Sequence, residues 1–411
     1  MGNTKMLFKS IIRNYLVFVH RRWAGQLFIF GAVLLIINYW PQNLAIGDPN
    51  NEKLEPHIVL PEGTILGGPY GASNFNVSTD GKYICFFKKL GKNDQPGLFR
   101  GVGKYVIYYT QNGVSQKIER LIQDDSIFGL SSSSGDPEFS HSGEYVLIHA
   151  MPNIDANNFC GTSLLFIVNL KNRKVSKLTG NYLGPGKWAG NSIAISTNSD
   201  EEINNIKIID PTDNKSRTLD VCGFVIEGDP GGRFILVRAN PENLKDSIPW
   251  KTGTEKLHLL AINLQGKIIR DFGKEPALIE KAAISLHGKF AMYKANDGRG
   301  PYVRIFSINT QINRFIKKDE TPLCITDKGI AATCKWELTE DDKGNGQKIM
   351  KMDFVINGWD TDNHSWRLLS GKPIINAVGV YDLLYYVEVT KNGRGLFYNK
   401  PLADLIVTRQ Q

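Results

Sequence analysis

Apolar residues along most of the chain occur in short runs separated by polar turns, which is typical of β-strands. After residue 50, no long segment repeats its apolar positions with the period of an amphipathic helix. Four segments share one pattern: a small polar stretch, a turn that ends in glycine, a charged residue, an aromatic residue and an apolar run. They are residues 78–85, 140–147, 228–235 and 285–292. The glycine suits a tight turn with positive φ, and the apolar run predicts a core strand.

Three weaker copies of the same pattern, at Gly190, Gly329 and Gly379, bring the number of repeats to seven. Each glycine strand is followed by two further strand patterns joined by a polar turn. Repeated units of four strands predict an all-β fold, a seven-bladed β-propeller over residues 57–411. An open ring would leave exposed edge strands. We therefore expect residues 57–60 to pair with the last blade, near residues 396–407.

The Ser-x-Asp-Gly-Lys-Tyr-Ile sequence at residues 78–84 resembles the repeat of TolB-like β-propellers and of the propellers in prolyl-oligopeptidase-type proteins. The resemblance covers residues 70–410 and implies the propeller fold, although such propellers have many functions. Ser142, Gly231 or His287 stands in place of the aspartate in the other strong copies. The Trp-Asp signature of WD repeats is not repeated, since Trp359-Asp360 occurs once.

The first 56 residues follow a different pattern. Residues 24–40 form an uncharged, mainly apolar run of 17 residues, close to the minimum that spans a hydrocarbon core of ~30 Å. Trp23 precedes this run, Tyr39 and Trp40 end it at the other expected interface, and Pro41 ends the predicted helix. The sequence predicts a basic tail at residues 1–22, a transmembrane signal anchor at 23–41 and a linker at 42–56.

The distribution of charge predicts the orientation of this anchor. Of the net charge of +8, five charges lie in the tail, which has no acidic residue. The positive-inside rule places the N-terminus in the cytoplasm and the propeller outside it, in the periplasm if the source is bacterial. A cleaved signal peptide is the alternative, although residues 41–45 lack a small-x-small cleavage site. The nearly balanced remainder of the chain argues against a nucleic-acid partner.

No motif for a nucleophile, a metal or a phosphate-binding loop occurs in the sequence, so we assign no catalytic residues, no metal ligands and no cofactor. His141 and His287 occupy turns of two repeats, which favours a role in the turn over a metal site. Three loops are candidates for ligand or partner binding, with ordinary solvated connections as the alternative. The candidate residues are Ser131, Ser134, Asp136, Trp250, Lys251, Asp297, Arg299 and Tyr302.

Five cysteines cannot all pair within one chain. Cys324 and Cys334 flank a predicted turn and could form a disulfide across a hairpin in an oxidising compartment, or remain two unpaired strand cysteines.

Two functions fit these patterns. The first is a single-pass, membrane-anchored extracytoplasmic propeller that binds a protein partner at the outer side of the membrane, as a scaffold of a membrane or envelope complex. The second is a lyase-like propeller enzyme that acts on an extracytoplasmic saccharide or peptide. Such a lyase would need histidine, arginine and acidic groups clustered in the channel.

Overall fold

A computed structural model describes sixteen stretches of the chain. They are residues 58–59, 75–89, 103–111, 114–117, 137–150, 163–180, 182–198, 203–246, 254–275, 277–310, 312–316, 318–342, 348–362, 364–368, 373–389 and 395–405. The predicted tail, transmembrane segment and linker lie outside these stretches. Within them, no helix is long and apolar enough to cross a membrane.

The described residues form seven four-stranded antiparallel sheets, which we number in chain order. Sheet 1 contains β2 (Phe75–Val77), β3 (Tyr83–Lys89), β4 (Gly103–Gln111) and β5 (Val114–Lys117). Sheet 2 contains β6 (Glu138–Phe139), β7 (Tyr145–Ala150), β8 (Ser163–Asn169) and β9 (Val175–Gly180). Sheet 3 contains β10 (Tyr182–Ala189), β11 (Ser192–Asn198), β12 (Ile203–Ile209) and β13 (Ser216–Cys222). Sheet 4 contains β14 (Phe224–Gly228), β15 (Ile235–Ala239), β16 (His258–Ile262) and β17 (Ile268–Lys274).

The remaining sheets follow the same up-and-down order. Sheet 5 contains β18 (Leu278–Ile284), β19 (Phe290–Asn296), β20 (Pro301–Ser307) and β21 (Asn313–Ile316). Sheet 6 contains β22 (Thr321–Ile325), β23 (Ala331–Asp342), β24 (Lys348–Trp359) and β25 (Ser365–Arg367). Sheet 7 contains β26 (Ile374–Val380), β27 (Leu383–Val389), β28 (Gly395–Pro401) and β1 (Ile58–Val59). Short 3₁₀ helices occupy Leu244–Asp246, Thr254–Lys256 and Leu402–Leu405.

The first strands of successive sheets contact one another around a ring. These contacts run from β2 through β6, β10, β14, β18, β22 and β26 and return to β2. The prediction of an all-β propeller is confirmed. The expected closing strand is also present, since Ile58 lies opposite Phe397 and Val59 lies opposite Leu396. After β28 the chain forms a 3₁₀ helix, and β1 is the fourth strand of this last sheet.

The repeated glycines form the turns between the first and second strands in six sheets. Gly81, Gly143, Gly190, Gly232, Gly288 and Gly329 all have positive φ. The seventh assignment was wrong: Gly379 lies within β26, and the turn is at Tyr381, whose φ is +53°. A Cβ on Gly379 would overlap the side chain of Cys324, so this glycine allows sheets 6 and 7 to pack closely.

The core consists of apolar layers between neighbouring sheets. Between sheets 4 and 5, for example, Leu236 and Leu259 belong to the same buried cluster as Tyr293 and Phe306. Side chains alternate between the two faces of a strand, so each sheet contributes to the layer on either side of it. Every sheet therefore depends on two neighbours for burial of its apolar residues.

The cysteine pair considered for a disulfide does not lie in a cross-strand pair. Cys334 is opposite Thr321, whereas Cys324 is opposite Ala332, and the register shifts between Pro322 and Cys324. Neither cysteine forms a disulfide, and both are buried in the layer between sheets 6 and 7. Burial raises the pKa of the Cys324 thiol, with a further contribution from the charge of Asp382, so the neutral thiol is favoured.

Candidate functional site

The turns between first and second strands lie together on one side of the ring, which we call the turn face. Its turns occupy residues 78–82, 140–144, 190–191, 229–234, 285–289, 326–330 and 381–382. In the 78–82 turn, the Ser78 hydroxyl accepts a hydrogen bond from the N–H of Tyr83 at 2.9 Å. Ser140 does the same for Tyr145 at 3.1 Å. A buried hydroxyl at the first turn position thus fixes the loop from within.

Contacts between neighbouring turns connect them around the ring. The Thr79 hydroxyl donates to the carbonyl of His141 at 2.9 Å, which joins sheets 1 and 2. The N–H of Gly190 donates to the carbonyl of Asp229 at 2.9 Å, which joins sheets 3 and 4. His287 joins sheets 5 and 6, since its N–H donates to Asp327 at 3.1 Å and its Nδ1 is hydrogen-bonded to the same carboxylate.

His141 and Tyr381 connect sheets 2 and 7 directly, although sheet 1 lies between these two sheets in the ring. Nδ1 of His141, on sheet 2, is 2.9 Å from the hydroxyl of Tyr381, on sheet 7, and the rings meet edge to face. Burial lowers the pKa of His141; the charge of His287 acts in the same direction and that of Asp229 opposes it. Side chains from sheets 2, 4, 5 and 7 are therefore close enough to influence one another across the turn face.

Asp229 has the position that Ser78 and Ser140 have in their own turns, but it carries a full charge. Its side chain is 0% exposed. The guanidinium of Arg233 balances this charge by donating from Nε and Nη2 to the two carboxylate oxygens at 2.8 and 2.7 Å. Nη2 of Arg233 also donates to the carbonyl of His287 at 2.6 Å. One arginine thus satisfies a buried acid and connects sheets 4 and 5.

The pKa values of two further acids of the turn face are shifted in opposite directions. Burial alone would raise the pKa of Asp327, but hydrogen bonds from Ser285 and His287 hold it below its usual value. The pKa of Asp382 is raised, first by burial and then by the charge of Asp327, against the effect of His287 and Lys328. The turn face therefore combines histidine, arginine and carboxylate groups from different sheets.

Charged side chains also connect the first strands of sheets 2, 3 and 4. Nζ of Lys187 forms an ion pair with Glu138 and lies 3.6 Å from Oε2 of Glu227. All three side chains are less than a fifth exposed. Burial raises the pKa of Tyr381, with further contributions from the charges of Glu227 and Asp229. The ion pairs on the first strands thus influence the turn face electrostatically.

The candidate loop residues are only partly described. Ser131, Ser134, Asp136, Trp250 and Lys251 lie outside the described residues. The others lie in or beside the connection between β19 and β20, at the opposite end of sheet 5 from its turn at residues 285–289. They are Asp297, Arg299 and Tyr302.

In that connection, Asp297 and Arg299 are exposed, and the Asp297 carboxylate accepts the N–H of Arg299 at 2.9 Å. Tyr302 is half-buried, and its hydroxyl donates to Glu275 at 2.8 Å. Glu275 is 3% exposed and also accepts a hydrogen bond from Tyr293. Tyr302 therefore belongs to a polar network between sheets 4 and 5, and a binding role for this loop remains a prediction.

One group among the described residues has a geometry that could hold a metal ion. It consists of Asp360, Asp362 and His364 in the turn between β24 and β25. The Asp360 carboxylate accepts the N–H groups of Asp362 and His364 at 2.8 and 2.9 Å. It also lies 2.8 Å from Nδ1 of His364. These hydrogen bonds hold the turn without an ion.

Sequence reasoning placed His141 and His287 in turns but did not place either on a shared face. It also missed Asp229, Arg233 and Tyr381 as a group. One signal was present, because Asp229 replaces the serine of other repeats and Arg233 follows it at hydrogen-bonding distance in the loop. The contact of His141 with Tyr381 had no local signal, since 240 residues separate them.

The sequence matches no known family description and no curated protein. Among solved structures, TolB from Acinetobacter baumannii is similar at 12% identity and a TM-score of 0.40, over 71% of this chain and 65% of that one. The propeller domain of the Trilobed protease from Pyrococcus furiosus is similar at 14% identity and a TM-score of 0.42, over 65% and 82%. An acylaminoacyl peptidase is similar at 12% identity and a TM-score of 0.47, over 78% of this chain and 51% of that one. These similarities to TolB and to peptidase propellers concern the fold alone.

Proposed function

We propose that the chain is a membrane-anchored extracytoplasmic β-propeller that binds a protein partner within a membrane or envelope complex. The proposal takes each four-stranded sheet as one blade, seven in all. The observation that carries it is the turn face, where polar side chains of several sheets are held in fixed positions by contacts between turns. A rigid set of exposed polar groups is suited to recognition, because little side-chain entropy is lost on binding.

The membrane anchor of this proposal rests on the sequence of residues 23–41. Protease added to spheroplasts, or to an equivalent preparation with the outer side accessible, should degrade residues 50–411 and spare the basic tail. Protection of the propeller would refute the orientation. Release of the chain by alkaline carbonate would refute the anchor itself.

Co-purification from detergent extracts tests the binding function. We expect the full chain to retain a stoichiometric protein partner. Two charge reversals compare the faces of the ring: Lys328→Glu changes an exposed residue of the turn face, and Lys274→Glu changes an exposed residue at the end of β17, on the opposite side of the ring. The first should reduce partner recovery and the second should not. Absence of a stoichiometric partner, or equal loss in both variants, would refute the proposal.

A lyase-like enzyme is the second candidate, and His287 is the observation that favours it. Its Nδ1 is held by Asp327, and its backbone carbonyl accepts a hydrogen bond from Arg233. An imidazole oriented by a carboxylate can act as a general base, and a nearby guanidinium can bind the acidic group of a substrate. Incubation with polyuronate should then give an unsaturated product that absorbs ultraviolet light. No product, or unchanged product formation by His287→Gln, would exclude this function for the site.

A further inference from the structure

Three adjacent turns of the turn face expose hydrogen-bond donors that have no recorded partner in the described part of the chain. Two of these groups are Nη1 of Arg233 on sheet 4 and Nζ of Lys328 on sheet 6. Between them, Nδ1 of His287 on sheet 5 donates to Asp327, so Nε2 of this ring can donate to a ligand only when both ring nitrogens carry a proton. The Arg233 and His287 side chains are 55% and 68% exposed, and Lys328 is exposed as well. His287 and Lys328 occupy the same turn position, directly before the glycine.

The carboxylates nearest to these donors are already engaged. Asp229 has no exposed side-chain surface and accepts two hydrogen bonds from the guanidinium of Arg233. Asp327 is 19% exposed and accepts hydrogen bonds from the backbone and the ring of His287. Solvent beside these three turns therefore meets mainly donors, while the matching acceptors lie beneath them.

Asp382 marks the boundary of this donor surface toward sheet 7. It is exposed, and it lies close enough to His287 and Lys328 for their charges to affect it. An anionic ligand would meet repulsion at Asp382 and attraction on the side of Arg233. The favourable region thus extends from sheet 4 to Lys328 and ends there.

We propose that Arg233, His287 and Lys328 form a binding site for carboxylate groups, which we call the carboxylate site. The inference rests on the proposed function in that it assigns a ligand chemistry to the same turn face. A guanidinium donates to a carboxylate in fixed geometry, and an ammonium adds hydrogen bonds and charge. The imidazole of His287 adds both in its doubly protonated form. Two sources carry this chemistry: an acidic segment of a protein partner and a saccharide that contains uronic acids.

Binding of hexaglutamate to the full chain in detergent, followed by calorimetry at low salt, tests the carboxylate site. Hexaglutamine is the neutral control peptide, and a hexamer of galacturonate is the saccharide probe. We expect Lys328→Gln to weaken hexaglutamate binding about threefold, as the loss of a single exposed charge does. The double variant with His287→Gln should bind hexaglutamate no more tightly than Lys328→Gln alone. Lys171→Gln removes the same charge from an exposed turn of sheet 2 and should change the affinity little.

The outcomes distinguish a defined site from diffuse attraction. Equal weakening by Lys171→Gln, unchanged binding by both turn-face variants, or equal binding of hexaglutamine would overturn the inference. Failure of both anionic probes to bind would overturn it as well. Binding of one anionic probe but not the other supports the site and identifies the source of the carboxylate. Unchanged thermal midpoints of the variants exclude misfolding as the cause of weaker binding.

The carboxylate site and the proposed function fail in different experiments. If hexaglutamate binds as expected but no protein partner co-purifies, the partner-binding function is refuted and the carboxylate site remains. If a partner co-purifies and is lost in Lys328→Glu while neither probe binds, the partner uses this face without carboxylate recognition.

Discussion

Replacing Arg233 with methionine would leave the buried carboxylate of Asp229 without its charged partner. Asp229 has no exposed side-chain surface, and Arg233 supplies two of its hydrogen bonds at 2.8 and 2.7 Å. The backbone N–H of residue 233 supplies a third at 2.9 Å, which the substitution retains. Methionine also keeps an apolar stem in the position that Arg233 has over the ring of Phe234. The change therefore removes mainly the charge compensation.

The expected loss of stability lies between two limits. Removal of one partner from a fully buried ion pair costs about 3–5 kcal/mol. Loss of an exposed pair costs about 0–1 kcal/mol. Because the Arg233 side chain is 55% exposed, water can approach the carboxylate once the guanidinium is gone. We expect Arg233→Met to lower the free energy of unfolding by about 2 kcal/mol, intermediate between those limits.

Urea unfolding followed by tryptophan fluorescence measures this loss, since Trp188, Trp359 and Trp366 are buried. Adding Asp229→Ser to Arg233→Met should restore most of the stability, because serine at this turn position needs no cation, as Ser285 shows with Lys289. Lys289→Met is the matched control and should cost less than about 0.5 kcal/mol. A loss in the control as large as in Arg233→Met, or no recovery in the double variant, would refute the reasoning.

Three further predictions address ring closure, sheet packing and acid stability. A shortened chain that begins at Gly71 lacks the pairing of Ile58 and Val59 with β28, so it should be less stable than one beginning at Lys53 by about 1–3 kcal/mol; equal unfolding midpoints would show that β1 does not close the ring. Gly228→Ala should destabilise by about 1–3 kcal/mol, because its Cβ would overlap the carbonyl of Trp188 on the neighbouring sheet; unchanged resistance to proteolysis would contradict this. The lowered pKa of Asp327 means that its contribution to stability is present above the usual pKa of an aspartate and is lost as pH falls through the folded-state pKa. Asp327→Asn should therefore lose less stability than the unaltered chain between about pH 5 and pH 2, and parallel acid-unfolding curves would refute that assignment.

The sequence predicted those parts of the fold that depend on local chemistry. A positive φ before a strand favours glycine, so Gly81, Gly143 and Gly232 located turns correctly. The edge-strand argument also located β1. The prediction of turns from glycine failed at Gly379. There glycine allows close packing against Cys324, a contact between sheets that no local pattern reveals. Close packing and turn formation both select glycine, so the sequence alone does not distinguish the two roles.

The turn face was less predictable for a related reason. The turns were predicted individually, but their common side and their contacts depend on the arrangement of sheets around the ring. The pair of His141 and Tyr381 exists only because sheet 7 returns to sheet 1. Exposed aromatic and charged loop residues were favoured instead, and Tyr302 shows the weakness of that criterion, since its hydroxyl is bound to the buried Glu275.

The pairing of β1 with β28 has a consequence for synthesis of the chain. Ile58 leaves the ribosome early, whereas its partner Phe397 appears almost at the end of translation. Sheets 1 to 6 can form in order as they emerge, but sheet 7 must wait for both of its contributors. During that interval β1 stays unpaired, and sheets 1 and 6 each lack a neighbour. A nascent chain stalled before β28 should therefore be a target for chaperones, however many sheets it has already completed.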